Sequence, residues 1–284
     1  MKTKTLKYSL YIFAIVIAFV SCKEDEGPTV TFKEEDRTEQ QEKDKDSLLT
    51  YLSTHYYNSI VFESGSNHKY TDIIITELPK DANGDYLDVP NPDQNALLLD
   101  VVETKFTTYL DVDYEYYILR LNQGGGEAPK FTDQVRVRYE GSSVKSEEVF
   151  DVISSPEKFP MVGNGFTTSG LIRAWQLVLP SFNSGLDFTT GIDGVVNFNN
   201  YGLGIMFVPS GLAYFSQSNS GSSYDNLIFK FELLQYEEAD HDADTVPSYL
   251  EDLDGDLDVS NDDTDLDGFP NFVDFDDDGD GVAD

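Results

Sequence analysis

Aspartate recurs at every second position near the end of the chain. Four runs carry this spacing, beginning at Asp240, Asp252, Asp263 and Asp276, each with further aspartates two and four places on. Residues 237–284 hold 20 of the 53 acidic residues of the chain and no lysine or arginine. Because like charges at this density repel, this segment folds compactly only if cations neutralise it. The sequence therefore predicts either a metal-dependent module or an open acidic tail.

The spacing favours calcium. Alternate carboxylates direct oxygens at one centre, glycine at the sixth place allows a sharp turn, and a carboxylate at the twelfth closes the shell. Oxygen ligands at this density suit calcium rather than a transition metal. No long apolar helices flank the runs, so the segment resembles thrombospondin type 3-like calcium repeats rather than an EF-hand pair. The predicted ligands are Asp240, Asp242, Asp244, Glu251, Asp252, Asp254, Asp256, Asp263, Asp265, Asp267, Asn271, Asp274, Asp276, Asp278 and Asp280.

Two alternatives for this tail, residues 239–284, stay open. One is a disordered acidic segment without metal. The other concerns the last run, which stops at Asp284 before its twelfth place and suggests a truncated chain or a partner that completes the loop.

The first 22 residues have the pattern of a secretory leader. Lys2, Lys4 and Lys7 precede an apolar run at 9–20, which is shorter than the roughly 20 residues of a membrane span. The run ends at Ser21 and Cys22, the only cysteine of the chain, and resembles a bacterial lipobox. The resemblance implies cleavage and lipidation at Cys22; an ordinary signal peptide or an uncleaved anchor is the alternative.

This leader predicts the location and the first boundaries. Residues 1–21 would be the signal peptide and 22–46 a lipidated, flexible or partly helical tether that binds the membrane through its acyl chains. The acidic residues 23–26 resemble the export signal of Bacteroidetes surface lipoproteins. We expect an outer-membrane lipoprotein on the periplasmic face or at the cell surface. Residues 47–112, with strands at 72–78, 97–102 and 104–110, would form an N-terminal extension or a small subdomain.

The following segment alternates like half-buried strands. Val135, Val137 and Tyr139 fall on one face, and further strands are predicted at 114–122 and 227–234. Between them, 170–175 is a short apolar helical segment with Trp175, the only tryptophan. Large aromatic residues mostly serve packing, so this segment predicts the plug of a small α+β core.

The order of five motifs gives a sharper expectation. VRVRYEG, VFD, GLIRAW, PSGLAY and LIFKFELL follow one another between 114 and 238. This order resembles an FKBP-type peptidyl-prolyl isomerase, and the layout resembles the FKBP-like lipoproteins of gliding Bacteroidetes. The resemblance implies an α+β fold over 113–238, a twisted antiparallel sheet wrapped around one short helix. It also implies a role in folding exported proteins through their proline-containing segments.

Isomerisation about proline needs no nucleophile, metal or cofactor, because the barrier of about 20 kcal/mol is lost amide resonance. An apolar pocket that prefers the twisted amide is sufficient. By resemblance, Tyr214 would bond a substrate carbonyl, Asp151 would be the pocket carboxylate, and Phe159 would fill a further aromatic position. The implied pocket residues are Tyr139, Phe150, Asp151, Leu171, Ile172, Trp175, Tyr214 and Phe229.

Departures from the family pattern keep other functions open. An insertion spans 185–205, Phe215 stands where the family usually has glycine, and both are expected near the pocket rim. A non-catalytic binding lipoprotein, or a calcium-repeat adhesion protein with an isomerase-like spacer, would fit the same features. The net charge of −34 argues against nucleic acid as a partner. The three histidines lack zinc spacing, and the nucleophile-elbow motif of hydrolases is missing.

Overall fold

A computed structural model describes residues 33–165 and 168–282. The chain divides into Met1–Glu34 and a compact unit, Glu35–Asp284, to which every element below belongs. Among the described residues, no helix has the length and apolarity to cross a membrane. The predicted signal peptide and Cys22 lie outside the described residues. The elements are α1 Arg37–Thr54, β1 His55–Tyr57, β2 Ile75–Glu77, β3 Ala96–Leu97, α2 Leu98–Val101, β4 Glu103–Tyr109, β5 Val112–Asn122, β6 Gln134–Ser143, β7 Val149–Pro160, α3 Arg173–Val178, β8 Asp187–Thr190, β9 Val196–Asn199, β10 Gly202–Val208 and β11 Leu227–Glu237.

Six strands form the main sheet in the order β4-β5-β10-β11-β6-β7. Each neighbouring pair is antiparallel. Every residue of β10 is buried, because the sheet is covered on both faces around this central strand. The predicted α+β class, with an antiparallel sheet and one short helix against it, is confirmed.

One face of the sheet packs on α3. Trp175 is 3% exposed and lies among Val135, Val137, Phe229 and Phe231, which alternate with residues of the opposite face along β6 and β11. A sheet face this apolar must be covered, and the short helix covers it. Trp175 is therefore the central plug that the sequence predicts.

The opposite face packs on α1, which begins inside the stretch predicted as a tether. Asp36 caps the helix by accepting hydrogen bonds from the backbone N–H groups of Thr38 and Glu39 at 2.9 and 3.0 Å. Leu48 and Leu52 are fully buried against the sheet. Helix α1 therefore begins at Arg37, roughly three turns before residue 47, because its first buried residues are polar and give no apolar signal.

The N-terminal extension is built on a small sheet, β2-β1-β3, beside the main one. Glu232 of β11, whose side chain is fully buried, connects the extension to the main sheet. It accepts a hydrogen bond from the Tyr70 backbone N–H at 2.9 Å and pairs with Arg138 of β6 at 2.8 Å. Two predictions for this region were wrong. Residues 98–101 form the helical turn α2, since short apolar runs do not separate helix from strand, and β4 belongs to the main sheet rather than to the extension.

The insertion at 185–205 forms the hairpin β8–β9 and lies away from Trp175. Its side chains line a groove of about 480 Å³ with Arg136, Pro156 and Gln235. Arg136 and Tyr139 occupy opposite faces of β6 because side chains alternate along a strand. The expectation that the insertion lies at the rim of the Trp175 site was wrong.

The acidic tail packs on the rest of the unit through a small apolar cluster. Val259 and Phe272 are buried against Phe131. Arg173, the first residue of α3, donates hydrogen bonds to the backbone carbonyls of Leu257 and Asp256. The start of α3 is thus in direct contact with the tail.

Candidate functional site

Four aromatic rings from four elements, α3, β6, β7 and β11, meet over the sheet. The centroid of Trp175 lies 5.3 Å from Tyr139 and 5.1 Å from Phe229, and Phe150 meets Phe229 edge-on at 5.8 Å. Tilted and edge-to-face pairs at these distances add about 0.5–1.5 kcal/mol each beyond area burial. Tyr214 meets Phe150 edge-on at 6.4 Å. Trp175 and Phe229 are buried, whereas Phe150 and Tyr214 are half-buried and form the accessible side of the cluster.

A hydrogen bond ties the buried phenol to the carboxylate. The Tyr139 hydroxyl donates to Asp151 Oδ2 at 2.6 Å. Burial, followed by this bond to the charged Asp151, raises the pKa of Tyr139. Burial and the charge of Asp151 also raise the pKa of Tyr214. Both phenols therefore stay protonated at neutral pH, and Tyr214 can act as a hydrogen-bond donor.

The segment before α3 supplies the aliphatic wall. Leu171 and Ile172 are half-buried and pack against the aromatic cluster. The Leu171 backbone N–H donates to the Met161 carbonyl at 3.1 Å. Gly170 is required here, because a Cβ would come within 2.7 Å of the Gly163 nitrogen. All eight residues that the resemblance implies for the pocket therefore lie together, with Phe159 beside Tyr139 at 6.3 Å.

Helix α1 supports the loop that carries Tyr214. Asp44 Oδ2 accepts hydrogen bonds from the backbone N–H and the hydroxyl of Ser210 at 2.9 and 2.6 Å. Arg37 stacks on the Phe215 ring at 3.9 Å and donates to the Gly211 carbonyl at 3.4 Å. These contacts hold the loop on both sides of Tyr214.

Phe215 has a left-handed backbone with φ of 48°. A non-glycine residue in this region is strained, which explains why glycine suits the position. The ring is 5% exposed, stacked under Arg37 and edge-on to Tyr224 at 5.0 Å. The substitution thus gives α1 a ring to pack on.

The four aspartate runs share one loop geometry. The first aspartate of each accepts a hydrogen bond from the backbone N–H five places on, at distances from 2.8 to 3.3 Å. The fourth and sixth places have positive φ in every run, at Ala243, Thr245, Gly255, Leu257, Leu266, Gly268, Gly279 and Gly281. The chain keeps this backbone even where alanine, threonine or leucine pays a conformational cost for it.

These loops bring carboxylates together. Oxygens of the three aspartates in each run lie within 4.8 Å of one another, and a fifth group combines Asp242, Glu251 and Asp277. Glu251 is 2% exposed, and neither of its oxygens accepts a hydrogen bond from the described residues. Asn271, also predicted as a ligand, accepts a hydrogen bond from the Thr264 N–H through Oδ1 and donates to the Thr264 hydroxyl. Asp274 falls in none of the groups formed by described residues.

The orphaned Glu251 carboxylate is an independent reason to expect a cation. Burial and the neighbouring charges of Asp242, Asp277 and Asp244 raise its pKa to about 8. Burial likewise raises the pKa of Asp242 to about 6. Buried carboxylates are normally hydrogen-bonded, paired or bound to a metal. The donor set, carboxylates alone, fits calcium.

Residues 241–284 match the BamM C-terminal family model. No match to a curated protein was found. The chain is similar to solved structures over a little less than half of its length. A peptidyl-prolyl cis-trans isomerase from Pseudomonas syringae pv. tomato str. DC3000 is 20% identical, with a TM-score of 0.33 over 43% of this chain and 76% of that one. FkpA from Escherichia coli is 23% identical, with a TM-score of 0.34 over 48% and 53%. The N-terminal domain of FKBP42 from Arabidopsis thaliana is 14% identical, with a TM-score of 0.33 over 43% and 87%. TM-scores this low support no inference about function, which rests on the geometry above.

Three residues of these sites gave no signal in the sequence. Arg37 and Asp44 lie in the polar half of α1. The buried residues of α1 recur at helical spacing, but those in its first half are polar and so gave no apolar pattern. The buried residues are Gln40, Gln41, Asp44, Leu48, Tyr51 and Leu52. Asp277 lies between two aspartates of the last run, off the alternate spacing that predicts ligands.

Proposed function

We propose that this protein is a peptidyl-prolyl cis-trans isomerase that uses the aromatic cluster around Trp175 as its proline-binding site. The observation that supports this most is the convergence of Tyr139, Phe150, Trp175 and Phe229 with the half-buried Tyr214 at one place on the sheet. A proline ring is apolar and compact, and an aromatic floor with an aliphatic wall can enclose it.

The chemistry follows from what such a site does to an amide. A planar amide is stabilised by charge separation, which water favours and an apolar site does not. A substrate held between Trp175, Ile172 and Phe150 would lose water from the X–Pro bond. The twisted amide has less charge separation, so it would lose less stabilisation than the planar amide when water is removed. The site would thereby lower the barrier of about 20 kcal/mol without covalent steps.

Hydrogen bonds would fix the peptide during the twist. Tyr214, kept protonated by its raised pKa, would donate to a carbonyl that flanks the proline. Asp151 would act through Tyr139, whose hydroxyl it orients at 2.6 Å. Because the carboxylate accepts that bond in the peptide-free protein, it holds the ring that forms one wall of the site.

We further propose the setting and the metal of the tail. Lipidation at Cys22 would anchor the chain in the outer membrane, where its substrates would be proline-containing segments of exported proteins. The match of the tail to the BamM C-terminal model supports an outer-membrane setting. Calcium would bind the aspartate runs and fold the tail, with no part in the isomerisation itself.

A proline-peptide isomerisation assay tests the enzymatic proposal. We expect the protein to accelerate isomerisation, and Tyr214→Phe to lower kcat/KM by roughly 2- to 12-fold, the equivalent of one hydrogen bond. The matched control is Tyr86→Phe, which removes a hydroxyl that bonds Glu77 in the N-terminal extension.

The outcomes separate enzyme from binding protein. Equal rates with and without the protein would rule out isomerase activity. Peptide binding by fluorescence of Trp175, without acceleration, would instead establish a binding module. An equal fall in Tyr214→Phe and Tyr86→Phe would contradict the role given to Tyr214.

A further inference from the structure

The two ends of the acidic tail meet at one carboxylate cluster. One oxygen each from Asp242, Glu251 and Asp277 lies within 4.8 Å of the other two. Asp242 belongs to the first aspartate run and Asp277 to the last. Glu251 follows the short 3₁₀ helix Ser248–Leu250, which turns its side chain inward. The cluster is therefore formed by tertiary folding of the tail and not by one loop.

Glu251 is the reason to treat this cluster as a site. It is almost completely buried, and both of its oxygens and Asp242 Oδ2 lack a hydrogen-bond donor among the described residues. Residues 237–284 contain no lysine or arginine that could pair with them. A carboxylate in this position needs a positive charge from outside the segment.

We propose that Asp242, Glu251 and Asp277 form a calcium centre that joins the first and last runs of the tail. This proposal rests on the calcium binding proposed above, and it adds Asp277, a ligand that the twelve-residue spacing does not assign. Calcium takes six to eight oxygens in flexible geometry, which suits carboxylates from three separate segments. Asp242 is also a member of the Asp240–Asp242–Asp244 group, so its two oxygens can bridge neighbouring ions.

The centre would set the shape of the tail. The four loops are formed locally, by hydrogen bonds from the backbone to the first aspartate of each run. Local loops do not determine how the ends meet. A cation shared by Asp242 and Asp277 would fix that arrangement, and its removal would leave three facing carboxylates that repel.

Calorimetric titration of the full chain with calcium, after removal of bound metal, tests this centre. We expect Asp277→Asn to lower the number of bound ions by one, or to weaken one class of site at least tenfold. The matched control is Asp258→Asn, in the same tail. The Asp258 carboxylate accepts hydrogen bonds from the N–H and hydroxyl of Ser260 and belongs to none of the carboxylate groups formed by described residues. This control should titrate like the unaltered protein.

A second variant gives a readout that a structural role alone would not produce. Glu251→Gln removes a buried carboxyl group whose oxygens have no hydrogen-bond partner among the described residues, so in chelator its Tm should rise above that of the unaltered protein. In saturating calcium the order should reverse, because the variant lacks a charged ligand. A Tm order that is the same in both conditions would overturn the proposal.

The two proposals fail in different ways. If the unaltered protein binds no calcium, both the calcium tail and this centre are wrong. If it binds calcium, and Asp277→Asn titrates like Asp258→Asn, the loops bind calcium and only the joining centre is wrong.

Discussion

Asp44 is a buried carboxylate on which the geometry of a neighbouring loop depends. Its side chain is 2% exposed and accepts hydrogen bonds from Ser210 and, at 2.6 Å, from Gln40. Burial raises the pKa of Asp44, hydrogen bonds from Ser210 and Gln40 oppose the rise, and the charge of Asp225 adds to it. The net effect is that the folded protein holds the Asp44 proton more tightly than the unfolded chain.

This shift predicts a pH dependence of stability. Below the ordinary aspartate pKa of 3.8, Asp44 is protonated in both the folded and the unfolded protein, so its titration does not change the free energy of unfolding. As the pH rises through the interval up to the raised folded pKa, the unfolded chain loses its proton first, and stability falls. In Asp44→Asn this loss should disappear. Urea unfolding across that interval should show that the free energy of unfolding of the unaltered protein rises relative to that of the variant as the pH is lowered.

The control for this prediction is Asp46→Asn, on the same helix but exposed. Its stability difference from the unaltered protein should not vary in the same direction with pH. A flat difference for Asp44→Asn would show that Asp44 keeps an unshifted pKa in the folded protein.

At the scale of elements, the strands β4, β5, β6 and β11 were predictable from the sequence, whereas the first half of α1 was not. Alternation at Val135, Val137 and Tyr139 sets the register of β6, because one face must be apolar. The first half of α1 could not be found in this way, because the buried side chains of Asp44 and Gln40 are polar and bond each other, and Asp44 also bonds Ser210. The aromatic site was placed by motif order, whereas Asp44 and Arg37 depend on contacts between segments far apart in sequence.

The hairpin β8–β9 gives a test at this scale. Phe188 is 53% exposed, and Ile192 at the tip is fully exposed. Replacing 191–195 with Asn-Gly would join the paired residues Thr190 and Val196 by a two-residue turn. We expect stability to change by about 0.5 kcal/mol or less, as for surface changes generally. Proline-peptide isomerisation should be unchanged, because the hairpin lies across the sheet from Trp175.

The comparison that decides this is the Tyr214→Phe variant assayed beside it. A loss of kcat/KM as large in the shortened hairpin as in Tyr214→Phe would put the insertion back at the rim of the site.

At the scale of the whole molecule, the tail is held by few contacts and one of them adjoins the proposed site. Arg173 is buried, stacks on Tyr109 at 5.2 Å and donates to Gln176 as well as to the tail carbonyls. It directly follows Ile172, which forms part of the wall around Trp175. Arginine presents five N–H donors in a wide, planar fork, whereas lysine presents three donors from a single nitrogen and reaches widely spaced acceptors less well.

Arg173→Lys should therefore loosen the tail while the sheet stays folded. The loss of one charge-assisted hydrogen bond to Leu257 or Asp256 should cost about 1–3 kcal/mol. Because the tail packs on Phe131 through Val259 and Phe272, in a cluster separate from the main core, that cost should fall on docking of the tail rather than on the main core. Limited proteolysis with mass analysis in calcium should show earlier cleavage after residue 238 and an intact fragment before it. The control Arg136→Lys, on the other face of the sheet, should be cleaved like the unaltered protein. Equal protection of the tail in the unaltered protein, in Arg173→Lys and in Arg136→Lys would mean that calcium, without Arg173, keeps the tail in place.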